Sequence, residues 1–234
     1  MPEHKMVSRE EWLVARKALL AREKAFSRQR DELARARREL PRVKVEKDYV
    51  FDAPEGRRTL AELFGANSQL IVYHFMLGPG WDAGCKSCSY LADHFDGMLP
   101  HLAARDVRFV AVSRAPLAEI EAFRRRMGWK FPWVSSNGND FNYDFHVSFR
   151  KEDIGNKRKV EYNYALGDAS MEELPGASAF CKDGQGTVFH TYSTYARGLD
   201  TLIGAYNWLD IAPKGRDEDG LEFTMAWVRH RDRY

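Results

Sequence analysis

The first forty residues carry apolar positions with a long, regular period on an otherwise charged background. The apolar residues recur every seven positions: Trp12, Leu19, Phe26, Leu33 and Leu40. That spacing places them on one narrow stripe of a helix. Ser8 and Glu11 fit a capping box, and Pro41 closes the segment. The pattern therefore predicts an N-terminal amphipathic helix of about 30 residues within residues 1–42.

One apolar residue per heptad makes a thinner face than the two that a coiled coil uses. Such a helix is expected to pack across its own domain or against a partner subunit. Of the two, we expect a homodimer that forms through the N-terminal helix. The alternative is a solvated helix that docks within its own chain.

The next segment alternates strand-like and helix-like patterns. An edge strand is predicted at 43–47 and a short helix with a glycine stop at 59–65. Core strands are predicted at 69–77 and 107–113, and the helices between and after them at 88–99, ending at Pro100, and at 116–127, ending at Gly128. The order is β-α-β-α.

The last third of the chain begins with an irregular stretch. Residues 129–172 are rich in aromatic residues, Asn, Asp and Gly, and we interpret them as an insert of loops and short elements. Two strand-like runs at 177–182 and 187–194 flank Asp-Gly-Gln-Gly, which is a hairpin signal. A helix is predicted at 199–209. The main domain is thus 43–209, and the tail, 210–234, carries aromatic residues that should pack onto it.

Length and composition limit the class of protein. At 234 residues with 44% hydrophobic residues, the chain can form one domain with an appendage. Only three cysteines occur, the start lacks an apolar leader, and the longest apolar run is too short to span a bilayer. We therefore expect a soluble cytoplasmic protein in a reducing compartment, with no membrane partner.

Charge is uneven along the chain. Residues 1–44 hold 13 Lys and Arg against 7 Asp and Glu, although the net charge of the whole chain is only +2. A nucleic-acid site would need a basic face with aromatic residues on which bases stack, and here acidic residues interrupt the basic excess throughout. No nucleic-acid partner is predicted.

The main candidate for chemistry is the C-x-x-C motif formed by Cys85 and Cys88. It follows the apolar run 70–77 and precedes a helix-like segment. Two residues between cysteines on the first turn of a helix bring the sulfurs close enough for a reversible disulfide. The free amides and the positive dipole end of the helix favour the thiolate of Cys85. The motif next to a βαβ pattern predicts thiol redox chemistry.

Three other interpretations of the motif stay open. The two cysteines and a histidine can bind copper or zinc, since thiolates suit Cu(I), although no second C-x-x-C or H-x-x-x-H is present. A thiol peroxidase would form a sulfenic acid on one cysteine. A scaffold with no catalytic role would tolerate the loss of Cys85.

Several segments carry a closer resemblance to a known family. They are Gly84–Ser89, Val112–Pro116, Phe131–Ser135 and Phe189–Gly198. With them the chain resembles the thioredoxin superfamily and, within it, the bacterial family called domain of unknown function 899. The resemblance implies an α/β fold, a thioredoxin-like three-layer sandwich with a long N-terminal helix and an insert before the C-terminal hairpin. It also implies a dithiol-disulfide oxidoreductase with no cofactor beyond its redox-active disulfide.

The thioredoxin plan also implies roles for residues around the dithiol. Cys85 would attack a protein or small-molecule disulfide, and Cys88 would resolve the mixed disulfide. Pro175, with Leu174, would be a cis-proline that offers a backbone edge to the substrate, or else an ordinary strand-entry residue. His74 would relay a proton to Cys88, or else be a hydrogen-bonded core residue.

The remaining candidates are weaker. Lys86, one of two residues that replace the Gly-Pro of thioredoxins, is expected to lower the pKa of Cys85 or simply to be solvated. Trp81 lies in the loop before the dithiol, as a substrate platform or a local turn contact. Cys181 is expected to be a buried structural cysteine, with a second resolving thiol as the alternative.

Overall fold

The N-terminal helix forms as predicted. The computed structural model describes residues 5–156, 158–168 and 170–234. Helix α1 spans Arg9–Glu39, and its capping box is complete. The Ser8 backbone N donates to Glu11 Oε2 at 2.9 Å, and the Glu11 N donates to Ser8 Oγ at 3.2 Å. These two bonds satisfy amides that the first turn leaves without partners.

A central sheet of eight strands organises the rest of the chain. Its strands are β1 (Val43–Lys44), β2 (Val50–Ala53), β3 (Gly56–Thr59), β4 (Gln69–His74), β5 (Val107–Ser113), β6 (Trp133–Ser135), β9 (Gly176–Lys182) and β10 (Val188–Tyr195). The spatial order is β1-β10-β9-β4-β5-β6-β2-β3. Strands β4, β5 and β6 are parallel, and each other pairing is antiparallel. A separate hairpin joins β7 (Lys159–Tyr162) to β8 (Ala165–Asp168).

Helices cover the sheet from both sides. On one face lie α2 (Lys86–Ala92), α3 (Phe95–Ala103), α4 (Leu117–Met127), the 3-10 helix Ala196–Leu202 and α7 (Gly204–Leu209). On the other face lie the 3-10 helix Glu62–Phe64 and α5 (Phe141–Asp144), while α6 (Lys151–Gly155) follows in the chain. The predicted α/β fold of the thioredoxin type, with a long N-terminal helix, is confirmed.

The two faces of strand β4 contact different parts of the core, because successive side chains of a strand point to opposite faces of the sheet. Tyr73, and Phe75 just after the strand, point to the face of α2, α3 and α4. Leu70 and Val72 point to the other core. The Phe75 and Trp133 ring centroids are only 4.4 Å apart. This alternation decides which residues can reach the dithiol.

The prediction of one helix at 88–99 is wrong at its C-terminal end. The segment forms two helices, and Pro100 lies inside α3 instead of stopping it. The break comes at His94, whose N–H bonds to the Leu91 carbonyl, three residues back instead of four. A proline removes only one N–H from the ladder, and the buried Phe95 holds the second helix on the core.

The prediction of an irregular insert at 129–172 is also partly wrong. Strand β6 lies within it and pairs with β5 in the central sheet, with Trp133, Val134 and Ser135 all buried. A strand of three residues is too short to show a periodic pattern, so the aromatic and polar neighbours concealed it. The rest of the stretch forms short helices and the β7–β8 hairpin.

The C-terminal elements differ less from the prediction. The hairpin between β9 and β10 is confirmed, and Asp183 Oδ1 accepts the amides of Gln185 and Thr187 at 2.9 Å each. The helix predicted at 199–209 is instead a 3-10 helix followed by α7. His94 Nε2 accepts the Ala205 N–H at 3.2 Å, a bond that a continuous helix would have made within itself.

None of the helices in the described part of the chain is both long and apolar enough to cross a membrane.

Candidate functional site

The two cysteines of the motif lie at the start of α2, beyond the end of β4. Cys85 occupies the N-cap position, and Cys88 lies in the first turn. The Cys85 N–H donates to the Met76 carbonyl at 3.0 Å, which ties the loop to the strand end. Cys85 is half-buried, Cys88 is only 2% exposed, and both are free thiols. An accessible thiol therefore stands beside a hidden one.

Gly84 allows this close approach of the loop to the core. A Cβ there would lie 2.6 Å from Phe75 Cε1 and 2.7 Å from Phe123 Cε1. Such distances do not occur between real side chains, so any larger residue would displace the chain just before Cys85. Close packing against the core therefore explains why a glycine precedes Cys85.

The pKa of the Cys85 thiol is lowered to about 6. The hydrogen bond from the Cys88 side chain is the largest cause, and the backbone amides of Cys88 and Ser87 add to it against the effect of burial. Cys85 is therefore mainly a thiolate at neutral pH, the form that attacks disulfides. Lys86 is exposed, and the proposed tuning by its charge has no support among these contacts.

The pKa of Cys88 moves the opposite way and is raised well above its ordinary value. Burial is the main cause, followed by the hydrogen bond to Cys85 and the charge of that residue. A hydrogen bond with the Tyr73 side chain opposes these effects. Tyr73 is a site residue that we did not predict from the sequence, although the alternation of β4 places it on the dithiol face.

A second tyrosine, Tyr162 on β7, lies near the dithiol. Burial raises its pKa to about 12, and the charge of Cys88 contributes to that shift. The Tyr162 hydroxyl donates to the Pro175 carbonyl at 2.8 Å and accepts the Ala196 N–H at 3.0 Å. It therefore links β7 to the segment before β9 and to the residue after β10. Its position inside the irregular stretch gave no sequence signal.

His74 does not lie where a relay to Cys88 requires it. It follows Tyr73 in β4 and so points to the opposite face, stacked on Phe141 with ring centroids 5.5 Å apart. Its Nε2 is 2.8 Å from Ser178 Oγ, and burial lowers its pKa to about 3. The proposed catalytic role is wrong, because a one-residue shift along a strand reverses the direction of a side chain. His74 is a core residue.

Pro175 is also different from the expectation. No cis peptide bond occurs in the described residues, so the bond before Pro175 is trans. The Leu174 N–H donates to the Val147 carbonyl at 2.9 Å, and the Pro175 carbonyl accepts from Tyr162. These groups of the predicted substrate edge are therefore already used within the chain. Leu174 and Pro175 remain half-buried beside Tyr162.

A buried ion pair anchors the segment before Pro175. Arg114, which follows β5, donates from Nε to Glu173 Oε1 at 2.6 Å, and Ser148 Oγ donates to Glu173 Oε2 at 2.6 Å. Arg114 Nη1 also donates to the Tyr143 hydroxyl at 2.6 Å. Burial raises the pKa of Glu173, while Ser148 and Arg114 hold it down. The network joins two loops at the same end of the sheet.

Two other predicted residues are placed by the structure. Trp81 is half-buried in the loop before the dithiol, folded against Gly78, where a Cβ would lie 2.9 Å from Trp81 Nε1. Cys181 is half-buried rather than buried, and Arg42 Nη1 lies 3.9 Å from its Sγ. Cys181 stands on β9 beside Gln69, at the end of β4 opposite to the dithiol.

Among the described residues, the two thiols are not joined by a third side chain that could complete a metal-binding group. Across residues 5–156, 158–168 and 170–234, no three His, Cys, Asp or Glu side chains form a group that could hold an ion. The two thiols alone lack the further ligands that a structural zinc site needs.

The C-terminal tail packs beside the dithiol helix, although of its three aromatic residues that predicted packing only Trp227 is packed, while Phe223 and Tyr234 are exposed. His230 Nε2 donates to the Gly84 carbonyl at 2.8 Å, and the Trp227 ring lies edge-on to Tyr90 of α2. Asp232 accepts from Arg126 Nε and Nη2 at 2.8 and 3.0 Å. The tail therefore supports the residue that precedes Cys85.

Solved structures to which this chain is similar include a peroxidoxin, a peroxiredoxin Q and a PrxQ mutant. Peroxidoxin BcpB from Mycobacterium tuberculosis is 15% identical over 70% of this chain and 94% of its own, with a TM-score of 0.45. Peroxiredoxin Q from Xanthomonas campestris is 17% identical over 71% and 95%, with a TM-score of 0.47. A PrxQ mutant from Xylella fastidiosa is 13% identical over 71% and 94%, with a TM-score of 0.44.

A search of curated protein sequences finds no match to this chain. A family model does match, over residues 1–234, and its description is "Bacterial protein of unknown function (DUF899)". The match spans the dithiol, the segments around it and the C-terminal tail. The chain therefore belongs to the DUF899 family.

Proposed function

We propose that the protein is a thiol-disulfide oxidoreductase that exchanges the Cys85–Cys88 dithiol with the disulfide of a substrate. The observation that supports this proposal most strongly is that the pKa values of the two cysteines in the C-x-x-C motif shift in opposite directions. The pKa of the half-buried Cys85 is lowered to about 6, while the pKa of the buried Cys88 is raised. A nucleophile and a resolving thiol need this division.

In the first step, the Cys85 thiolate attacks one sulfur of the substrate disulfide. A Cys85–substrate bond forms, the substrate S–S bond breaks, and the leaving thiolate takes a proton from water. In the second step, Cys88 gives its proton to water and attacks Cys85 Sγ. The Cys85–Cys88 bond forms, and the second substrate thiolate leaves. The substrate gains two electrons, and an external dithiol must return them to the protein.

The first step itself prepares the second. The Cys85 charge and its hydrogen bond to Cys88 help to raise the Cys88 pKa. When Cys85 enters the mixed disulfide, that negative charge disappears, so the Cys88 pKa falls. The Tyr73 side chain then stabilises the new thiolate of Cys88. No histidine is required for this sequence of steps.

The substrate class includes protein and small-molecule disulfides. The cytoplasm is the proposed compartment, since a chain of three cysteines without a disulfide framework suits a reducing environment. The side chains of Trp81 and of the half-buried Leu174 and Pro175 are the proposed substrate-contact groups.

The test is a glutathione redox series on metal-stripped protein, read by alkylation and peptide mass spectrometry. We expect a reversible Cys85–Cys88 disulfide with a potential between about −270 and −120 mV. Cys181 should remain a free thiol that is alkylated at every glutathione redox potential, and it serves as the internal control. Failure of the two cysteines to pair would contradict the proposal.

Two other outcomes would replace the proposal with a different function. Protection of both thiols only after copper or zinc is returned would indicate a metal site. A sulfenic acid on one cysteine after peroxide, with turnover of peroxide but not of disulfides, would indicate a thiol peroxidase.

A further inference from the structure

Helix α1 carries an apolar stripe that its own chain does not cover. None of its residues is buried. Phe26 is 60% exposed and Leu33 53%. Leu40, where the helix joins the domain, is still 49% exposed. The alternative interpretation, a helix docked within its own chain, is therefore not seen in the described residues, and a stripe about 42 Å long faces solvent.

The charges that flank the stripe follow a pattern. The positions one residue before the stripe include Glu11, Glu32 and Glu39, and those four residues after it include Arg16, Arg30 and Arg37. In a paired helix with the stripe at a, these are the g and e positions. The acidic side chains thus line one border of the stripe, and the other border is mainly basic.

We propose that α1 pairs with α1 of a second copy of this chain, in parallel and in register. Each stripe residue then meets its own copy across the two-fold axis. In such pairs the g residue of one helix contacts the e residue five positions later in the other. Glu11 meets Arg16 of the partner subunit, and Glu32 meets Arg37 of the partner subunit. By symmetry, four pairs form, and all are attractive.

Charge selects this direction over the antiparallel one. An antiparallel pair centred on Phe26 also brings stripe onto stripe. However, it places Glu11 beside Glu39 of the partner subunit and Arg16 beside Arg37 of the partner subunit. Those contacts are repulsive, and only the contacts of Glu23 with Arg30 are favourable. Like charges at these positions decide the orientation of paired helices.

The charges of Glu32 and Arg37 are available for this pairing, whereas Arg16 Nη2 already lies 2.8 Å from Glu23 Oε2 and would have to exchange that ion pair for the contact with Glu11 of the partner subunit. Within the described part of the chain, neither Glu32 nor Arg37 forms an ion pair, and Arg37 only lies over the Tyr192 ring at 5.5 Å. The d positions include Arg22 and Gln29, which reduce the apolar contact in the seam. The dimer is therefore narrow and concentration-dependent.

Arg37→Glu is the discriminating substitution, measured by sedimentation or light scattering across a dilution series of the full chain. The parallel pair predicts that it raises the dimer dissociation constant on the order of tenfold, because two attractive contacts become repulsive. The double variant Glu32→Arg, Arg37→Glu should restore the wild-type constant. Tighter dimers with Arg37→Glu alone would contradict the proposal, since an antiparallel pair predicts that result.

Cross-linking tests the register separately. In a full chain with its three cysteines replaced by serine, Leu19→Cys should form a covalent dimer on mild oxidation, because position 19 faces position 19 of the partner subunit. Lys17→Cys, on the opposite side of α1, is the matched control and should stay uncross-linked. Cross-links only in mixtures of Leu19→Cys with Leu33→Cys would indicate an antiparallel pair.

The proposal rests on α1 and not on the dithiol, so its failure leaves the proposed redox function intact. Wild-type protein that keeps its single-chain mass of 27.0 kDa at every concentration would overturn it. In that case α1 docks onto its own domain or a different partner. Phe26→Asp should yield monomers, whereas Lys24→Asp, on the outer face, should not.

Discussion

Two neighbouring residues of β4, Tyr73 and His74, point to opposite faces of the same sheet. Tyr73 points to the helices and contacts the resolving cysteine, Cys88. His74 points to the other core, where Ser178 and Ser193 continue its hydrogen bonds. Both side chains are buried, yet only one reaches the dithiol. The comparison teaches that a polar residue's role depends on its strand face rather than on its chemistry alone.

The hydrogen-bond chain on the second face ends at another histidine. Ser193 Oγ lies 2.8 Å from Ser178 Oγ and 2.8 Å from His190 Nε2. Burial lowers the pKa of His190, as it does for His74. This face therefore holds two neutral imidazoles joined by two hydroxyls, although the buried Nδ1 of His74 has no hydrogen-bond partner among the described residues, and the hydrogen-bond chain does not touch the thiols.

The largest expected effect lies on the Tyr73 face, at the cysteines themselves. Cys85→Ser should lower disulfide exchange by more than about a thousandfold, since the nucleophile is lost. Cys88→Ser should still react once and then accumulate a mixed disulfide with the substrate, visible by mass spectrometry. Cys181→Ser is the matched control and should exchange at the wild-type rate. Equal activity of Cys85→Ser and the wild type would leave only a scaffold role.

The pH dependence of Cys85 gives the next effect. Its alkylation rate should rise with pH, reaching half its maximum near the pKa of about 6, because only the thiolate reacts. Cys88→Ala removes the largest cause of that low pKa, so the midpoint should move upward. Rates of iodoacetamide labelling between pH 4 and pH 9 measure both. An unchanged midpoint in Cys88→Ala would assign the shift to the backbone amides instead.

Tyr73→Phe sharpens the comparison of the two faces. Loss of the hydroxyl near Cys88 should slow the resolution of the mixed disulfide about ten- to a hundredfold, in line with one hydrogen bond to a charged thiolate. The Cys85 alkylation profile should stay the same. Tyr49→Phe, whose hydroxyl bonds to Asp144 at 2.7 Å, is the control from the other core. Stopped-flow measurement of the rate at which the mixed disulfide is resolved tests this prediction. Equal slowing in both variants would indicate a general packing effect.

The smallest effect on the chemistry is expected from His74. Its pKa of about 3 means that the unfolded chain binds a proton below about pH 6.5 while the folded chain does not. Stability is therefore present at neutral pH and falls as the pH drops below that value. His74→Gln should reduce the loss between pH 7 and pH 5 by about 2 kcal/mol, measured by urea unfolding. Exchange kinetics should not change, and slower exchange in this variant would return His74 to the mechanism.

Much of the fold follows from local patterns. The capping box at Ser8, the strand at 107–113 and the glycine stop at Gly128 are each set by a few adjacent residues, and all three form as predicted. Strand β6 and the break between two helices at His94 do not follow from local patterns, because contacts with distant residues determine them. The first needs β5 as its neighbour, and the second uses a bond from Ala205.

The sequence by itself determined the dithiol, its place after a core strand and the apolar stripe of α1, since spacing along the chain defines all three. Only the tertiary structure decided the partners of the thiols. Tyr73 and Tyr162 approach Cys88 from strands about ninety residues apart, and His74 is excluded by the face it occupies. Local spacing places a residue on an element, but the sheet and its packing determine which side chains share a site.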